Sequence, residues 1–248
     1  MDTEHLKSRL NSKIESITHE RKNEAMNENV IIAEQGYIAL RDNTIDIIKQ
    51  NLKNQPLSFQ LFDTVKAPSG GSTVFTIPGI SGDEIEKSIS GIILDYTTPR
   101  AYWETPDPVE GTPPSCYSAD SLVSFDGKSC THCPFNDFGS KNGESNAKAC
   151  KESVALLMLR PGNIMPIIVR IPVSSKVIFQ RYLTRLIGKM LPLSGVVTRI
   201  TLDKTTNKAG QPYSVYSFEA VEELNSNDAD MAKAFGRNLM SVLEGAQQ

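Results

Sequence analysis

Val154-Ala-Leu-Leu-Met-Leu-Arg160, Pro161-Gly-Asn163 and Ile164-Met-Pro-Ile-Ile-Val-Arg-Ile171 decide the fold. Two strongly apolar segments of strand length are joined by a turn that Pro and Gly punctuate, so the stretch reads as a β-hairpin. Pro172 closes the second strand, and Ser174 or Ser175 is placed to cap a helix that runs to about Met190. Val177, Ile178, Tyr182, Leu186 and Ile187 give that helix its apolar face.

Downstream, Val196 to Leu202 and Tyr213 to Val221 read as a second hairpin across Asn207-Lys-Ala-Gly210. A closing helix from Asp228 to about Leu243 carries Met231, Phe235, Leu239 and Val242. Upstream, Ser88 to Tyr96 is a half-buried strand with Ile89, Ile92, Ile93 and Tyr96. Before it, Leu57 to Val65 and Thr73 to Ile77 read as a strand pair around the turn Ala67 to Ser72. A helix from Asp42 to Asn51 has Ile45, Ile48 and Leu52 on one face, with Asp42 or Asn43 as its N-cap. In the first 24 residues, Leu6, Leu10, Ile14 and Ile17 draw an apolar stripe along a polar helix, which must dock on the body or pair with another copy. His5 and His19 sit on that helix and need no special role.

The order of strand, strand, strand, helix, strand, strand is that of an OB-like five-stranded Greek-key barrel in an α+β chain. The long loop from Thr97 to Lys151 falls between its first two strands. The expected division is a helical extension over 1–55, an OB-like domain over 56–224 with a zinc loop at 100–151, and a C-terminal helix over 225–248.

All four cysteines lie in that loop, within 35 of 248 residues, spaced C-x13-C-x2-C-x16-C. A C-x2-C turn presents Cys130 and Cys133 to one ion, and Cys116 and Cys150 supply a tetrahedral zinc with its remaining thiolates. Two disulfides and an iron-sulfur cluster are the alternatives; His132, inside the turn, could replace one cysteine. A long Gly-rich loop needs an organiser, and metal-binding energy would serve as folding energy. A closed four-thiolate site leaves no open position, so one structural Zn2+ is expected.

The start, Met1-Asp-Thr-Glu-His, lacks a basic region followed by an apolar run, and no stretch reaches the length of a membrane span. A cytoplasmic location is expected, where clustered cysteines favour metal over disulfide. The net charge of -3 hides an asymmetry. Residues 141 to 204 carry eleven Lys or Arg against three acids, a local +8, between acidic flanks.

Signals for catalysis are poor, and no enzyme is expected. Gly127-Lys128-Ser129 fails as a phosphate loop because Leu122 stands where the first glycine belongs. Asp120, Asp126 and Asp137 could form a nuclease-like carboxylate set; as loop acids they also read as turn formers. The basic residues are more telling. Lys148, Lys151, Arg160, Arg170, Arg181, Arg185, Lys189 and Arg199 lie on elements that an OB-like barrel turns toward a nucleic-acid backbone. Tyr102, Trp103, Phe135, Phe138, Tyr213 and Tyr216 are candidate stacking platforms.

Pro99-Arg-Ala-Tyr-Trp103, Pro114-Ser-Cys-Tyr-Ser118, Cys130-Thr-His-Cys-Pro134, Phe138-Gly-Ser140, Lys148-Ala-Cys-Lys151 and Pro172-Val-Ser-Ser175 resemble a family of bacteriophage, prophage and mobile-element proteins with a four-cysteine loop in a strand-rich domain. The likeness spans roughly residues 88 to 220. It implies a role in DNA replication or recombination in a bacterial host. In plan the chain is also similar to T4-type phage single-stranded DNA-binding proteins, although its C-terminus lacks the acidic tail of many such proteins. The expected function is non-catalytic binding of single-stranded nucleic acid, DNA rather than RNA, with replication or recombination proteins as possible partners and possible homo-oligomers. An adaptor that contacts proteins through the zinc loop and N-terminal helix is the alternative, and a metal-dependent nuclease a third reading.

Overall fold

The computed structural model describes residues 36–245 apart from 38–39, 41–43, 54, 56, 58, 66–67, 69, 106–108, 110–111, 142–146 and 208–209. The N-terminal stripe of Leu6, Leu10, Ile14 and Ile17, with His5 and His19, lies outside the described residues. Elements follow in the order α1 (Thr44–Leu52), β1 (Thr64–Val65), β2 (Phe75–Ile77), β3 (Glu84–Glu86), β4 (Ser88–Thr97), β5 (Arg100–Tyr102), β6 (Cys116–Ser118), β7 (Lys151–Leu159), β8 (Ile167–Pro172), α2 (Val173–Gly188), β9 (Val196–Thr206), β10 (Pro212–Glu223) and α3 (Ser226–Gly245).

The apolar runs make the middle of one sheet, ordered β1-β8-β7-β4-β9-β10. Leu156-Leu157-Met158-Leu159 does not alternate because β7 is covered on both faces. Val154, Leu156 and Met158 enter an inner core with Phe179, Tyr182 and Leu186 of α2. Leu157 and Leu159 enter an outer core with Ile48 of α1 and Phe235, Leu239 and Leu243 of α3. β4 binds its two neighbours with different halves: Ser88 to Ile92 pair with β9, and Ile92 to Thr97 with β7 across a bulge after Ile93. A strand that hands over its pairing in mid-length must bend, and the sheet curls into a half-barrel. Gly91 sits at the handover, where a Cβ would collide with the Leu159 carbonyl oxygen and lie 2.9 Å from Met158 Cγ.

The curl does not close by a ladder. Among the described residues β8 and β10 do not pair with each other, and β8 instead takes the short parallel β1 on its outer side. Side chains bridge the seam. The Tyr216 hydroxyl donates to the Arg170 carbonyl at 3.1 Å, and the Tyr216 N–H donates to Ser175 Oγ at 3.0 Å. Ser175 therefore serves β10 rather than capping α2, whose N-cap is Pro172, with no side-chain cap and a φ of -69° suited to helix entry.

The expected pairing of Leu57 to Val65 with Thr73 to Ile77 is replaced. A 3-10 turn at Phe59–Leu61 interrupts the first segment, and β2 pairs with β3 instead. Leu57 and Phe62 belong to the outer core and Val65 to the inner one, so this segment must cross the sheet edge and cannot run as one strand. α3 starts on a reciprocal cap, in which Asn225 Oδ1 accepts the Asp228 N–H at 2.9 Å while Asn225 Nδ2 donates to Asp228 Oδ2 at 2.8 Å. No helix of the described residues is long and apolar enough to cross a membrane.

Candidate functional site

Local hydrogen bonds order the cysteine loop from both ends. β5 pairs with β6, setting Tyr102 opposite Cys116, and also with the start of β7, setting Arg100 opposite Glu152. Asp120 Oδ1 accepts the Leu122 and Val123 N–H groups at 2.8 and 3.2 Å, a turn that lets Cys130 N donate to Leu122 O at 2.8 Å. Those amide bonds are the main cause holding the Asp120 carboxyl below its ordinary range. Gly127, with φ at 79°, supplies the tip of the next turn, where Asp126 meets Ser124 and Lys128. Asp120 and Asp126 are thus engaged in turns of their own.

Cys133 precedes the 3-10 turn Pro134–Asn136, and the Cys150 N–H donates to Phe135 O at 2.8 Å. The outcome is that Cys116, Cys130, Cys133 and Cys150 line one pocket, with Arg100 and Tyr102 in its wall. All four are free thiols. Burial first, and neighbouring Asp126 and cysteines after it, raise the Cys116 thiol; burial also raises Cys150, opposed by Arg100. As placed, no three or more His, Cys, Asp or Glu side chains among the described residues stand close enough to hold a metal ion. The thiols share a space without forming a closed tetrahedron. His132 is exposed and does not line it.

Beneath the pocket lies a charged network that sequence reading missed. Arg100 Nη2 donates to Glu152 Oε2 at 2.7 Å, and Lys176 from α2 pairs with the other oxygen of the same carboxylate. Arg100 Nη1 donates to Asn136 Oδ1, which also accepts from Lys148 Nζ at 3.0 Å. Asn136 Nδ2 donates to Cys130 O at 3.0 Å. The loop, β5, β7 and α2 are locked together by these contacts.

Several expected aromatics gather on the rim. Tyr102 and Phe135 stack at 4.1 Å between ring centroids, and Phe138 is 72% exposed with Lys148 Nζ 4.5 Å from its ring centre. Trp103 is half-buried, its Nε1 donating to Thr112 O at 2.9 Å. Tyr213 is exposed at the start of β10. Tyr216 is fully buried in the inner core, which removes it from the stacking set. Phe125, 73% exposed beside exposed Leu122 and Val123, was overlooked because one Phe in a Ser- and Asp-rich turn gives no periodic signal.

The basic residues do not form one group. Lys148 and Lys151 are at the cysteine loop, and Arg170 is exposed on β8 opposite Ala155. Arg160 closes the far end of β7, about 30 Å from Lys151 at the rise of a strand, and is paired with Glu86 at 2.7 Å and Glu84 at 3.8 Å. Arg199 faces Glu219 at 3.4 Å. Arg181 and Arg185 are exposed along α2 and Lys189 is exposed at its C-cap, leading away from the Lys176 end that touches the loop network. Compared with protein-family models, curated proteins and solved structures, the chain matches nothing.

Proposed function

We propose that this protein is a non-catalytic binder of single-stranded DNA that uses the rim of its cysteine loop. The observation that carries the reading is the conjunction of an exposed Phe138 ring, the Lys148 ammonium beside it and the adjacent Tyr102–Phe135 stack. A ring face accepts any base, and a nearby cation neutralises the phosphate that follows it. The strand path β8-β7-β4-β9-β10, with α2 between β8 and β9, supports an OB-like Greek key whose first connection is the cysteine loop. The outer face of β7 and β8 is largely occupied at Leu157, Leu159 and Ile168 by the terminal helices. The open ground is therefore Arg170, Lys151 and the loop rim.

Cys116, Cys130, Cys133 and Cys150 would hold one zinc ion. Its chemistry there is structural, adding cross-links that keep the loop in shape. The quoted sequence motifs support an origin in a phage or mobile element, and a role in DNA replication or recombination in the cytoplasm of its bacterial host. Ultraviolet crosslinking to a bromodeoxyuridine oligonucleotide, read by mass spectrometry, tests the location. Adducts should fall on Tyr102, Phe135 or Phe138; adducts confined to α2, or none, would sink the proposal. The exposed Leu122, Val123 and Phe125 favour a second reading, an adaptor that contacts protein through this turn. Light scattering that shows a dimer dissociated by Phe125→Ser would support it.

A further inference from the structure

Arg100 has more hydrogen-bonding capacity than the protein satisfies. Its Nη1 and Nη2 are engaged by Asn136 and Glu152, whereas its Nε is buried with no partner. A buried N–H without an acceptor is costly and calls for an explanation in a group not yet named. The pocket that Arg100 lines is also lined by the four cysteines. Four thiolates around a divalent ion leave about two negative charges in excess. A guanidinium at that wall would compensate them, and a thiolate sulfur is an acceptor that a spare N–H can use.

We propose that Arg100 is the outer-shell partner of the metal centre, donating Nε–H to a ligating sulfur while Asn136 and Glu152 fix the plane of its guanidinium. The inference rests on the four-cysteine metal reading above and deepens it. It names the residue that offsets the charge of the centre and ties the centre to α2 through Glu152 and Lys176. Substitution should loosen the metal by the factor typical of lost outer-shell partners, about 10–100-fold.

The test uses the full chain purified with zinc, together with Arg100→Gln, Arg100→Lys and Arg160→Gln. Zinc per chain is measured by elemental analysis, release by transfer to a chromogenic chelator, and sulfur-to-metal charge transfer by cobalt substitution. The wild type should hold one zinc. Arg100→Gln should release it about 10–100-fold faster and move the cobalt charge-transfer band to longer wavelength, because a lost N–H···S bond raises the sulfur lone pair. Arg100→Lys should release faster than wild type, and Arg160→Gln, which breaks an arginine ion pair at the far end of β7, should stay near wild type in both readouts. Wild-type protein that binds no zinc would overturn the metal reading itself. A zinc-loaded wild type whose Arg100→Gln variant keeps its release rate and cobalt band would overturn only the role of Arg100, as would an Arg160→Gln variant that matches Arg100→Gln in both readouts. If Arg100→Gln does not fold, the cobalt band of Arg100→Lys decides: an unmoved band overturns the role.

Discussion

Replacing Tyr216 with phenylalanine deletes one hydroxyl at the seam of the half-barrel and leaves the ring in place. In the folded protein that hydroxyl donates to the Arg170 carbonyl at 3.1 Å from a fully buried side chain. Losing a buried neutral hydrogen bond costs about 1–2 kcal/mol. At this chain length each kcal/mol lowers the midpoint by about 2–4 °C, so the melting temperature should fall by about 2–8 °C. The alkaline limb supplies a second readout. Burial holds the Tyr216 phenol protonated well above its ordinary value of 10.0, whereas the unfolded chain releases that proton near 10. The folded pKa is the raised one, so the contribution is complete below pH 10 and is lost as pH climbs toward the folded value. Tyr37, pushed up to about 12 by burial and then by Glu222, adds to the same decline and remains in the variant. Tyr216→Phe should therefore lose stability less steeply above pH 10, by up to about 1.4 kcal/mol per pH unit. Denaturant titrations at neutral and alkaline pH measure both effects. A variant as stable as wild type, with an unchanged alkaline slope, would refute the seam argument, and weakened DNA binding without loss of stability would return Tyr216 to the binding surface.

Phe138→Ala should weaken oligo-dT binding about 5–150-fold, the equivalent of one stacked base at about 1–3 kcal/mol, with a change of less than about 0.5 kcal/mol in unfolding free energy, since the ring is 72% exposed. Lys148→Ala should reduce the dependence of log affinity on log salt by about 0.7, the share of one phosphate contact on a single strand, as read by anisotropy across a salt series. Gly91→Ala should destabilise the fold by about 1–3 kcal/mol in denaturant melts, because a Cβ there meets the Leu159 carbonyl and stands 2.9 Å from Met158 Cγ.

The central sheet was legible because its strands are long and apolar and its turns carry Pro or Gly. β4, β7, β8, β9 and β10, with α2 and α3, all lie where their periodicity puts them, with ends displaced by a few residues. Short or polar strands left no such trace: Glu84-Ile-Glu86 and Arg100-Ala-Tyr102 are three residues each and exist through their partners. Tyr216 could have been placed by parity, since it shares a strand face with Ser214 and Phe218, and that face is the inner core. Arg160 could not, because its acids Glu84 and Glu86 are more than seventy residues away in sequence. The gathering of four cysteines at one pocket follows their spacing, while the Arg100 network beneath them depends on β5 pairing that no local pattern announces.

The most direct measurement of the central claim is the affinity of the zinc-loaded protein for a fluorescent oligo-dT, by anisotropy at about 50 mM salt, beside a duplex of equal length and the Phe138→Ala variant. Saturable binding to the single strand, weaker binding to the duplex and a marked loss in the variant are the predicted results. No binding to the single strand, or binding that Phe138→Ala leaves untouched, would contradict the account.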